Sequence, residues 1–361
     1  MTPADLSLTV LHAVRRAVGE GALREVDVPG GVKVERPRGG GSGDYATNAA
    51  LQLAGPAALP ARRVAEILRE RLAGAAGIER VEITGPGFLN FTLRRDSHAQ
   101  MVSRVLGRRH RYGHGRSLAG QVLQYHHRTE VRAAVVAQTV ARLQAAQGAS
   151  VRTGCDAVDP RWAALGVTVD AEGMPPGPLP VVVAPAPVTY DVYRLGRDAA
   201  RWALLRPAAH DRALGPDGLL DQTEANGLFT VRYAHARARA LLRNGAQLGI
   251  TPAYEEQAED PAYQEHGEDY GEDTDALRLL AALGDHPAVL EAAARHRAPD
   301  RVARHLEATA DAFLGFQHTV LPLGDEKPSA AHRSRLALAE AAGTVLAGGL
   351  ALLGISAPDY L

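Results

Sequence analysis

At 361 residues, with 46% hydrophobic and 22% charged side chains, the chain is long enough for two or three domains that each bury a core. A single cysteine, Cys155, excludes an intramolecular disulfide and points to a reducing compartment. The net charge of −1 is unevenly spread: residues 1–120 hold 18 Lys/Arg against 11 Asp/Glu, residues 121–250 hold 14 against 11, and residues 251–361 hold 8 against 19. A basic front half suits a polyanionic partner, although a basic stripe on its own is usually a solvated face. The first residues, Met1 to Ser7, lack the pattern of a signal peptide, and the apolar run from Val345 to Ile355 is too short to span a bilayer. A cytoplasmic protein without membrane contact is therefore expected. Only Lys33 and Lys327 are lysines among the 40 basic residues, which limits any lysine-dependent mechanism.

In chain order, residues 5–19 place Leu6, Val10, Leu11, Val14 and Val18 near helical spacing, which predicts an amphipathic helix. Strand-like runs at 24–28 and 32–35 follow, then a glycine-rich loop at 38–43. The stretch 45–53 reads as helical, and Pro60 opens a helix over 61–72. Strands at 81–84 and 89–93 flank Gly85-Pro-Gly87. Together these predict an α+β domain over residues 1–95. A helix at 96–107 leads into a small α/β segment, 96–193, shaped as a truncated Rossmann-like unit. It comprises a strand at 122–125, a helix at 129–147, and strands at 151–153 and 179–184. From 194 to 361 the pattern predicts an all-α helical bundle, with helices at 194–205, 217–246, 275–282, 286–295, 299–319 and 328–353. The segment 251–275 holds ten carboxylates and no base, which predicts an acidic loop. Such a loop either lies near an arginine-rich helix face and competes there with phosphate, or is simply solvated.

Three stretches resemble arginyl-tRNA synthetases. Gly43-Asp-Tyr-Ala-Thr-Asn48 with Gly85-Pro-Gly-Phe-Leu-Asn-Phe91 is similar to the family's N-terminal additional domain. Leu195-Gly-Arg-Asp-Ala-Ala-Arg201 resembles the family's Asp-Ala-Leu-Arg handover into a helical anticodon-binding domain, and Val231-Arg-Tyr-Ala-His-Ala-Arg237 resembles a helix at that domain's start. The closing Leu353-Gly and Ala357-Pro resemble the family's C-terminus, with Tyr360 and Leu361 in place of a final methionine. Gln317 stands where the family has an aromatic facing the anticodon loop.

The resemblance implies tRNA as partner, with Phe88 stacking on a D-loop base and Asn90 reading a base edge. The alternative is that Phe88 belongs to the core and Asn90 satisfies a strand end. On the helical domain it implies contacts from Arg232, Tyr233, Arg239, Arg243 and Tyr360. Arg232, Arg239 and Arg243 recur near i, i+7 and i+11 and so share a helix face. Tyr233 and His235 read equally as helix-packing residues. The family's ATP-using parts are missing from the sequence. The strand at 122–125 is followed by His126-His-Arg128 rather than a His-x-Gly-His turn, and the stretch 181–190 holds no lysine. The expectation is a non-catalytic protein with no catalytic residue, cofactor or metal, for which DNA is not expected as partner. The histidines His110, His114, His126 and His127 and the thiol of Cys155 offer no persuasive ligand spacing. The alternative function is a protein-docking module that has lost RNA binding.

Overall fold

The computed structural model describes residues 3–24, 32–35, 37, 43–94, 96–175, 177, 183–254 and 270–361. They fall into two compact units, Met1–Ser103 and Arg104–Leu361. Most of the expected strand at 24–28, most of the acidic loop at 251–275 and most of the strand expected at 179–184 lie outside the described residues.

In the first unit, α1 (Pro3–Gly19) buries Leu6, Val10, Val14 and Ala17, one face of the predicted amphipathic helix. A four-stranded antiparallel sheet follows the order β1-β2-β4-β3, with β1 at Val34–Glu35, β2 at Tyr45–Thr47, β3 at Ile78–Thr84 and β4 at Phe88–Leu93. Helices α2 (Ala49–Ala57) and α3 (Ala61–Leu72) pack against β4. Leu89, Phe91 and Leu93 alternate into this core with Leu53, Leu68 and Leu72. The helix expected over 45–53 begins only at Ala49. Tyr45 pairs with Phe91 and Thr47 with Leu89 across the sheet, and this long-range pairing overrides the local helical pattern. Helix α4 (Asp96–Arg108) then runs across the sequence boundary of the two units.

The second unit opens with a parallel βαβ: β5 (Val122–His127), α5 (Val131–Ala146) and β6 (Ser150–Cys155), with a short β7 (Ala171–Glu172) added beyond β6. The small sheet is not left wet on both faces, because α5 covers one of them. Helix α5 is itself buried almost all round and touches α6 (Gly196–Leu205), α8 (Tyr270–His296) and α10 (Ala330–Leu353). The α/β segment and the helical segment are thereby one packed body.

Helices α7 (Gly227–Gln247) and α9 (Asp300–Phe316) complete the bundle around α10. Helix α10 is apolar and long enough to cross a membrane, yet 72% of its apolar window is buried among the other elements. Two expectations about helix ends are corrected. Helix α7 starts ten residues later than the predicted 217, because the Asn226 side chain accepts from the Leu228 and Phe229 amides and donates to the Leu219 and Asp221 carbonyls. The two helices expected at 275–282 and 286–295 are one, α8, which passes through Pro287. Burial of Leu279, Leu283, Leu290 and Ala293 offsets the lost hydrogen bond.

Candidate nucleic-acid interface

The first unit offers a hairpin tip. Thr84 and Phe88 pair across the turn Gly85-Pro-Gly87, which ends β3 and starts β4. Side chains alternate along β4, so Leu89 and Phe91 enter the core while Phe88 and Asn90 share the other face. Phe88 is 40% exposed and is therefore not a core residue. Asn90 is 3% exposed, and its amide nitrogen donates to the Thr84 hydroxyl at 2.9 Å. The amide thus ties the two ends of the tip together. Asp44 fixes the tip from the opposite end of β4: its carboxylate accepts from the Leu93 amide at 2.7 Å, and its own amide donates to the Phe91 carbonyl. The Gly43–Asn48 motif and the Gly85–Phe91 motif are consequently one construction.

In the second unit the chain from Ser356 to Leu361 lies along the arginine face of α7. Arg232 reaches the Ser356 hydroxyl at 3.5 Å and the Asp198 carboxylate at 3.9 Å. His235 hydrogen-bonds the Pro358 carbonyl at 3.0 Å, so that Nδ1 carries the proton. Arg239 forks onto the Asp359 carboxylate at 3.1 and 3.3 Å. Arg243 donates to the Asp359 carbonyl and lies over the Tyr360 ring, 4.1 Å from its centroid. The predicted spacing therefore does bring Arg232, Arg239 and Arg243 to one surface, together with Tyr360, which is 72% exposed. Tyr233 is also exposed and stacks on Phe229 at 5.7 Å. His235 is buried, and desolvation pushes its pKa down against the opposing pull of the Pro358 carbonyl.

Sequence reasoning missed Asp359, whose carboxylate sits on the arginine it named. It also missed the use of Gln317, which accepts from Arg237 at 2.7 Å. Neither partner is a sequence neighbour, so no local pattern announces it. Arg132 and Arg201 were likewise hidden in apolar helices. Both are fully buried, and both spend their guanidinium on backbone carbonyls: Arg132 on Leu204, Ala186 and Ala208, Arg201 on Leu353 and Leu165.

The parallel sheet presents no free helix N-terminus. Glu130 caps α5 and accepts from the Ala133 amide at 2.7 Å, placing a carboxylate where an anion would bind. At the end of β5, His126 pairs with Asp156 at 2.7 Å, and His127 is buried against Trp162 with its pKa lowered, chiefly by desolvation. Cys155 is buried, and burial raises its pKa. Among the described residues, no three His, Cys, Asp or Glu side chains group as metal ligands.

Two stretches of the chain match known families. Residues 9–93 match the family described as arginyl tRNA synthetase N terminal domain, and residues 231–361 match the DALR anticodon binding domain. An arginine–tRNA ligase of Frankia alni is 28% identical over 562 residues, covering 100% of both chains. That of Renibacterium salmoninarum is 26% identical over 560 residues, again covering 100% of both. Those alignment lengths exceed the 361 residues present here, so a stretch of each relative has no counterpart in this chain. In fold, the arginyl-tRNA synthetase of Thermus thermophilus superposes with a TM-score of 0.69 at 14% identity, and that of Plasmodium falciparum with 0.65 at 9%. Each covers 100% of both chains.

Proposed function

From the premise that this chain is an arginyl-tRNA synthetase-related protein, we propose that it binds tRNA without aminoacylating it. The observation that carries the binding half is the exposed surface of α7 and the C-terminal segment. Arg232, Arg239, Arg243 and Tyr360 stand together there, inside the region that matches an anticodon-binding domain. Guanidinium groups on one helix face bind phosphates bidentately, and a nearby exposed ring offers a stacking platform. The hairpin tip with Phe88 supplies a second platform, in the region that matches the family's N-terminal domain. Asn90 acts by holding that tip in shape.

The non-catalytic half has separate support. Adenylate chemistry needs groups that hold phosphate as charge develops. Strand β5 runs directly into His126-His-Arg128, the N-terminus of α5 is filled by Glu130, and only Lys33 and Lys327 are lysines. The length missing relative to the ligases points the same way. A protein-docking module is the second reading, favoured by the Asp359 carboxylate already seated on Arg239.

Two measurements test this. Arg239→Ala and Arg243→Ala should each weaken tRNA binding across sequences and lower the salt slope by about 1, the signature of one lost phosphate contact. Slopes equal to wild type would reject the surface. Arginine-dependent pyrophosphate exchange, with tRNA present, should stay at the level of a protein-free control.

A further inference from the structure

A second arginine cluster adjoins the α7 face within the same unit, sharing Asp198 and Ser356 with Arg232. A cleft of about 460 Å³ is lined by Arg142 of α5, Arg197 and Asp198 of α6, and Gly354, Ile355 and Ser356 just past α10. Behind it sits the buried Arg201. Three guanidinium groups converge here, and two glycines make the room. A Cβ on Gly354 would come within 2.6 Å of the Arg201 guanidinium and would also strike Arg142, while one on Gly166 would come within 2.8 Å of the Arg197 Cζ. Both glycines have positive φ, 75° and 65°, where side chains are strained as well as crowded.

The cluster is short of negative charge. Arg201 spends its donors on the Leu353 and Leu165 carbonyls, the Gln138 amide oxygen and the Thr139 hydroxyl, none of them charged. The one carboxylate in the cleft, Asp198, accepts from both the amide and the hydroxyl of Ser356 and faces Arg232 of α7 at 3.9 Å, so it is not spent on Arg142 or Arg197. Arg142 and Arg197 make no hydrogen bond or ion pair among the described residues. The electrostatics carry the mark of this crowding. Desolvation and then repulsion from Arg197 lower the pKa of Arg142, and desolvation followed by Arg142 and Arg197 brings Arg201 down to about 9. A helix C-terminus favours cations, and Arg201 uses that of α10, but this does not occupy the other two.

We propose that this cleft binds a phosphate group between Arg142 and Arg197. Two unpaired guanidinium forks facing one half-enclosed space match the geometry of a tetrahedral oxyanion, and an anion there relieves their mutual repulsion. The phosphate is either a free small anion or part of a polynucleotide backbone. The site stands independently of the tRNA reading, since a free phosphate would occupy it in a protein that binds no RNA.

The test is calorimetric titration at low salt with inorganic phosphate, then with a single-stranded oligonucleotide. The proteins are wild type, Arg142→Met, Arg197→Met and, as control, Arg278→Met, whose arginine lies on α8 outside the cleft. Saturable phosphate binding is expected in wild type and control, weakened roughly tenfold or more in either cleft variant, which corresponds to about 1.4 kcal/mol. Melting temperatures without ligand should not fall, because each cleft variant removes one of three repelling charges. Arg197→Gln replaces Arg197→Met if the latter loses stability. Loss confined to the oligonucleotide assigns the phosphate to a polynucleotide backbone. The site is overturned if neither probe separates the cleft variants from Arg278→Met.

Discussion

Replacing Phe88 with Ala is expected to lower tRNA affinity by roughly 1–3 kcal/mol, the worth of one stacked base. The salt slope should stay unchanged, since no charge is lost. Because the ring is 40% exposed at a hairpin tip, circular dichroism and melting should resemble wild type. An unchanged affinity in a folded variant would remove Phe88 from the interface. Asp359→Asn acts in the opposite direction. Its carboxylate occupies Arg239 and contributes little to stability as an exposed ion pair, on the order of 0–1 kcal/mol. Neutralising it frees a guanidinium, so RNA binding should tighten at low salt and the gain should fade as salt rises. Equal affinity at every salt concentration would mean that Arg239 faces no phosphate. The α7 arginines were legible beforehand because helical spacing is local. The pairing of Arg239 with Asp359 was not, because it is set by chain that is distant in sequence, and a strand-end role for Asn90 was legible only as an alternative, without its partner Thr84.

At the scale of elements, two histidines tie α8 to α9. His286 and His305 are 5.2 Å apart, with the Tyr112 ring stacked on His286. Burial holds His286 well below its ordinary 6.5 and His305 at about 4. The folded state therefore refuses protons that the unfolded chain takes up below about 6.5. Stability is full above that value and should fall as pH drops toward 4, by about 1.4 kcal/mol per pH unit for each group. Chemical denaturation from pH 7 to 4.5 reads this out, and His305→Leu should flatten the slope; an unaltered slope would assign acid sensitivity elsewhere. Arg201 is the corresponding tie among α5, α6 and α10. Arg201→Ala leaves a cavity and several unpaired carbonyls and should cost about 2–4 kcal/mol. Helix existence and type were legible throughout this unit from periodicity. What misled was long-range: β2 hidden in a helical pattern by its pairing with β4, and the unbroken α8 through Pro287. The parallel sheet was legible as one βαβ, but β7, two residues long, carries no pattern of its own.

For the whole molecule, the first unit carries an exposed ring within the stretch that matches the N-terminal domain family, and the second an arginine face within the stretch that matches the anticodon binding domain. The proposed partner of both surfaces is a polyanion. The charge imbalance agrees: 18 Lys/Arg against 11 Asp/Glu over residues 1–120 favours a polyanion, while 8 against 19 over residues 251–361 tempers it. The surfaces alone do not set specificity, since phosphate contacts position an RNA and shape selects it. Competition binding at physiological salt, tRNA against a single-stranded RNA of equal length on the wild-type protein, tests the central claim most directly. A clear preference for tRNA is predicted. Equal binding of the two would contradict recognition of tRNA, and binding of neither would leave the protein-docking reading in its place.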